Sequence, residues 1–95
     1  MKKVVEITTP TCSVCKMLKP MIEMVMNKNF SSNEHNIKLD VRDHEDPEVK
    51  HLINQYSIHS VPAFFFMDND KVKNTHFGAI SAPEFKKLCE TLFND

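Results

Sequence analysis

"TPTCSVCKMLKP" (9–20) sets two cysteines three positions apart, just after the apolar run "KKVVEIT" (2–8). From Val14 onward Met17, Leu18, Met21, Ile22 and Val25 recur at helical spacing. The apolar run therefore reads as a strand, and Cys12 and Cys15 open the helix that follows it. A pair so placed is open to three readings: a reactive dithiol, half of a zinc site, or two structural residues.

Working outward, "NIKLDVR" (36–42) alternates Ile37, Leu39 and Val41 with Lys38, Asp40 and Arg42, which predicts a strand near a sheet edge. Before it, "NKNFSSNEHN" (27–36) reads as the one long polar loop. Asp46 and Pro47 form an N-cap and first-turn pair ahead of a short helix carrying Val49, Leu52, Ile53 and Tyr56. "AFFFM" (63–67) is short, aromatic and unbroken, as expected of a strand covered on both faces. "DNDK" (68–71) then turns the chain into "VKNTHF", a hairpin partner. Ser81 and Glu84 make a capping box before Phe85, Leu88, Cys89 and Leu92. The order is βαβαββα. Strands joined through a helix run parallel and the hairpin runs antiparallel, so the expected fold is α/β, a four-stranded mixed sheet with helices on both faces. The cysteine pair falls at the carboxyl ends of the parallel strands, where such sheets carry their chemistry.

Composition narrows the function. At 95 residues, 41% hydrophobic and with seven phenylalanines, residues 1–95 suit one domain with one core. Twelve Lys+Arg against thirteen Asp+Glu give a net charge of -1 and no basic field for nucleic acid. "MKKVVEITTP" is too short in its apolar part, and broken by Glu6, for a signal peptide or a membrane span. A cytoplasmic location is the expectation. Three cysteines are too few and too odd for a secreted disulfide scaffold.

A helix N-terminus offers free backbone N–H groups and the positive end of the helix dipole, which favour a thiolate at Cys12. Cys15, one turn on, is spaced to resolve a mixed disulfide formed there, and Lys16 adds a nearby cation. A zinc site would need two more ligands, and no second C-x-x-C exists, so no metal is expected. Cys89 sits on an apolar helix face and reads as core. Met24 and Met26 cannot both face the core. Asp40, Arg42, Asp43, Glu45 and Asp46 read as a solvated, capped connection. The histidines, at 35, 44, 51, 59 and 76, are scattered and read as surface, with His59 a candidate to line the dithiol cleft.

These residues carry a resemblance to the thioredoxin family that runs over nearly the whole chain. "CSVCKMLKP" resembles the family's active-site helix, with Pro20 at its proline; "YSIHSVPAFFFMDNDKV" resembles the segment with the cis proline; "HFGAIS" resembles the last strand and its glycine, Gly78. The resemblance implies a thioredoxin-like fold without the extra N-terminal strand and helix of longer members. It also implies thiol–disulfide exchange with no cofactor beyond the Cys12–Cys15 disulfide. Cys12 matches the attacking and Cys15 the resolving cysteine, and Pro62 matches the cis proline, with Val61 before it offering backbone groups to a peptide. Glu6 falls where the family keeps a buried aspartate, and Lys38 where it keeps that residue's lysine neighbour. A carboxylate inside "KKVVEIT" should have its pKa raised by burial, which suits a proton acceptor for Cys15.

The chain departs from the family pattern at Thr11, which replaces the tryptophan before the first cysteine and so stands at the partner-contact position. Ser13 and Val14 replace Gly-Pro, and Asp70 stands where a turn glycine is usual. Protein disulfides are the implied substrates, a thioredoxin-reductase-type enzyme the implied electron donor, and a monomer the implied state, with a role in electron transport and cell redox homeostasis. The alternatives are a glutaredoxin-like, glutathione-dependent oxidoreductase, which would want a tyrosine before Cys15 and a Gly-Gly after the hairpin, a non-catalytic binding module, and a thiol-ligated metal or cluster module.

Overall fold

Strand β1 (Lys2–Thr8) lies inside the sheet because its four central residues, Val4 to Ile7, are all buried. In the computed structural model, which describes residues 1–94, β1 pairs in parallel with β2 (Lys38–Asp43) and antiparallel with β3 (Ala63–Asp68). Strand β4 (Lys71–Phe77) completes a four-stranded sheet of order β2-β1-β3-β4. The parallel pair needs a long crossover, and helix α1 (Ser13–Asn29) supplies it. Helices α2 (Lys50–Tyr56) and α3 (Ala82–Glu90) complete the expected βαβαββα order.

Helices cover both faces. Val4, Phe64 and Phe66 pack against Ile22, Val25 and Met26 of α1 and Phe85 and Cys89 of α3. Val5, Ile7, Phe65 and Met67 pack on the other face against Val49 and Leu52. Every residue from Ala63 to Phe66 is fully buried, which is why "AFFFM" shows no polar alternation. Each buried phenylalanine contributes roughly 1.5–3 kcal/mol of transfer free energy, so this strand anchors the core. As expected, β2 is an edge strand, Met26 is buried while Met24 is exposed, and Cys89 is buried.

Several boundaries differ from expectation. Helix α1 runs into the predicted 27–36 loop as far as Asn29, whose side chain donates to the Val25 carbonyl at 3.1 Å, and Phe30 is buried against Phe93. Apolar anchoring there outweighs the polar composition. Asp46 caps a short 3-10 turn, Pro47–Val49, that leads into α2, accepting from the Glu48 N–H at 2.9 Å. The capping box on α3 is half made. Ser81 Oγ accepts from the Glu84 N–H at 3.3 Å, but the Glu84 carboxylate turns instead to His76 Nδ1 at 3.4 Å. The β3–β4 turn needs no glycine at 70, because Asn69 takes the left-handed conformation at φ 57°, which asparagine tolerates.

Candidate active site

The sheet register gathers the site. Ile7 near the end of β1 lies across from Ala63 at the start of β3, and Ala63 lies across from Phe77 at the end of β4. Thr8 pairs in parallel with Asp43, so β2 ends there as well. The segments just beyond these ends, holding the cysteines, Pro62, Gly78 and His44, therefore meet at one end of the sheet. Three backbone bonds tie them to it: Gly78 N–H to Pro62 O at 2.7 Å, Cys12 N–H to Thr9 O at 3.2 Å, and His44 N–H to Thr8 O at 2.9 Å.

Cys12 is the N-cap of α1, in extended conformation, and its sulfur accepts from the Cys15 N–H at 3.1 Å. A sulfur that takes the place of a capping oxygen receives the orphan N–H of the helix start, an interaction that strengthens when the sulfur carries charge. Cys12 and Cys15 form a disulfide with Cα atoms 5.3 Å apart. Cys12 is part exposed and Cys15 is buried, so attack from outside reaches Cys12 first. The third cysteine stays apart: burial, helped by the Glu90 charge, pushes the Cys89 thiol up to about 12. Among the described residues no cluster of three or more ligating side chains could hold a metal.

The Val61–Pro62 peptide bond is cis, Pro62 is fully buried and Val61 is half-buried. Thr11 is exposed beside Cys12. Gly78 sits at φ +95°, and a Cβ built there would meet nothing within 4 Å. Glycine is required at 78 by this conformation, not by a close approach or a bulge. The bulge lies elsewhere, between Phe66 and Met67 opposite β4.

Glu6 is 4% exposed, and burial pushes its carboxyl up to about 7. It shares a cavity of about 430 Å³ with Cys15, Lys16, Lys19, Leu39 and Val41. The structure does not bring Lys38 to it. Lys38 pairs with Lys3 while Glu6 pairs with Val41, so Lys38 lies three register positions away, about 10 Å along the strand, and on the opposite face. The lysines beside the Glu6 cavity are Lys16 and Lys19 of α1. Lys19 was legible in principle: it follows Cys15 by four residues and so shares its helix face.

A mixed sheet of this order, helices on both faces and a Cys-x-x-Cys disulfide opening the first helix at the same sheet end as a cis proline define the thioredoxin-like class. Residues 1–91 match the Thioredoxin family, and the chain belongs to that family. It is 33% identical over 67 residues to a thioredoxin of Rickettsia bellii, a match spanning 70% of this chain and 58% of that protein. Its fold is similar to that of oxidized thioredoxin O2 from Arabidopsis thaliana, with TM-score 0.74, 19% identity, and coverage of 99% of this chain and 76% of the other. It is also similar to oxidised thioredoxin from Plasmodium falciparum, with TM-score 0.70, 23% identity, and coverage of 95% and 79%. No helix among the described residues is long and apolar enough to cross a membrane.

Proposed function

We propose that this protein is a dithiol–disulfide oxidoreductase that reduces protein disulfides. The observation that carries the reading is the asymmetry of the pair: Cys12 is accessible at a helix N-cap, and Cys15 is buried over the cavity that holds Glu6.

In the reduced protein the Cys12 thiolate attacks one sulfur of a substrate disulfide. A Cys12–substrate disulfide forms, and the other substrate sulfur leaves as a thiolate. The Cys15 thiol gives its proton toward the Glu6 carboxylate, and the resulting thiolate attacks Cys12. The Cys12–Cys15 disulfide closes and the second substrate sulfur departs as a thiolate, two electrons having passed to the substrate. With its carboxyl held near 7 by burial, Glu6 is matched to proton exchange close to neutral pH. Backbone groups of Val61 at the buried Pro62 turn, with Thr11 and Gly78 alongside, form the ledge for the substrate chain. A separate reductase of the thioredoxin-reductase type returns two electrons to the pair, and a reducing cytoplasm keeps Cys89 a free thiol.

Removing the resolving thiol tests this sequence of steps. Cys15→Ser is expected to accumulate a mixed disulfide with a protein-disulfide substrate, linked through Cys12, seen as a substrate-sized mass increase that dithiothreitol removes. A Cys15→Ser protein that forms no adduct, or one through Cys89, would contradict the assigned order of attack.

A further inference from the structure

We propose that a second cavity beside the dithiol selects substrates that carry an acidic residue next to the disulfide being reduced, an inference that rests on the exchange reading above. The cavity, of about 210 Å³, is lined by Ile7, Thr9, His44, Lys50, His59 and Val61, among others. Its position is set by the active site. The Thr9 carbonyl accepts the Cys12 N–H at 3.2 Å, and Val61 directly precedes Pro62. A polypeptide lying between Cys12 and Val61 therefore passes its mouth. Its volume suits one side chain.

The chemistry of the walls names that side chain. Ile7 is fully buried and supplies apolar floor, while three side chains able to carry positive charge come from three separate segments. His44 follows β2, Lys50 opens α2, and His59 precedes β3. The acidic groups at this rim are Asp43 and Glu45, and Glu45 shows what the cluster binds. One of its carboxylate oxygens lies 2.9 Å from His44 Nε2, and the other lies 3.8 Å from Lys50 Nζ. Its side chain is 72% exposed, so the bridge is an exposed ion pair that an incoming carboxylate can displace at little cost. His44 Nδ1 is buried without a hydrogen-bond partner among the described residues and faces an Asp43 oxygen at 3.4 Å, so it is Nε2 that the ring offers at the rim. Glu45 thus occupies the rim in place of a substrate glutamate or aspartate.

Two disulfide peptides, identical except for Glu or Gln beside one cysteine, test the inference with the fully reduced protein in stopped flow at low salt. The wild type is expected to reduce the Glu peptide about fivefold faster in second-order rate constant, equivalent to about 1 kcal/mol. That ratio should fall toward one at about 1 M salt, where the Debye length is ~3 Å. Glu45→Gln should raise the ratio, His59→Gln should lower it, and Lys50→Glu should invert it. Equal rates for the two peptides in the wild type, or a preference that Lys50→Glu leaves unchanged, would overturn the subsite while leaving exchange intact. Reduction of neither peptide would overturn the exchange reading and the subsite with it.

Discussion

Cys12→Ser is expected to lower the rate of protein-disulfide reduction about a thousandfold or more, which corresponds to ~4 kcal/mol of added barrier. The reason is chemical rather than structural. A serine hydroxyl stays protonated at neutral pH and cannot form the sulfur–sulfur bond on which the transfer depends. The position itself accepts serine well, because Cys12 is the N-cap of α1 and serine is among the preferred capping residues. The variant should therefore keep its helical signal, and relative to the reduced wild type it should unfold at a similar denaturant concentration. The check is a pair of measurements on the same preparation, turnover against a protein disulfide and chemical denaturation under reducing conditions. Substantial turnover in a folded Cys12→Ser protein would mean that another group attacks the substrate. Cys89 offers no such substitute, being buried and held as a thiol by a pKa pushed up to about 12.

Stability should depend on pH through Glu6, and by a large amount. Burial raises its folded-state pKa to about 7 from an ordinary value of 4.5, so the folded protein prefers the protonated acid. A group with a raised folded pKa contributes stability that is fully present below the unfolded value and is lost as pH rises through the folded one. The window therefore runs from about 4.5 to about 7, and the whole effect is on the order of 3 kcal/mol. Glu6→Gln removes this titration. The difference in unfolding free energy between wild type and Glu6→Gln, measured in urea from pH 4.5 to 8, should move against the wild type by about 3 kcal/mol and then level off. A flat difference would show that burial does not raise the Glu6 pKa in the folded state above its unfolded value. A loss of that size is a large part of the roughly 5–15 kcal/mol that holds a domain of this kind together. The place of Glu6 on the cavity shared with Cys15 is the one that the proposed exchange asks of a proton acceptor.

Much of the fold was readable because the strongest local signals agreed with the tertiary arrangement. "AFFFM", short, aromatic and unbroken, suits a strand covered on both sides, and the period of two in "NIKLDVR" suits a strand with one open edge. The misjudged boundaries came from residues whose environment is set at long range. Phe30 lies in a stretch of asparagines and serines, yet its ring packs on Phe93 at the far end of the chain. Glu84 had the right spacing for a capping box, but His76 on the neighbouring strand offered its carboxylate a partner.

The site divides in the same way. Cys12, Cys15 and Pro62 were legible from local motif and resemblance, and the structure brings them to one end of the sheet. Lys38 was not correctly read, because its relation to Glu6 depends on strand register, and the parallel pairing sets it opposite Lys3 on the other face. The cavity holding His44, Lys50 and His59 was invisible for a similar reason. Its walls come from three segments that only the completed sheet brings together. His59 is singled out in the sequence by its closeness to Pro62, whereas His44 reads there as one of five scattered surface histidines.

The most direct measurement is the redox state of the Cys12–Cys15 pair across a series of defined thiol–disulfide buffers, read by alkylation and mass spectrometry with Cys15→Ser as the control. Dithiol exchange predicts one reversible two-electron transition between the free dithiol and the intramolecular disulfide, at a potential below that of the glutathione pool, and no such transition in the control. Failure of the pair to form that disulfide at any buffer poise would contradict the proposed mechanism outright.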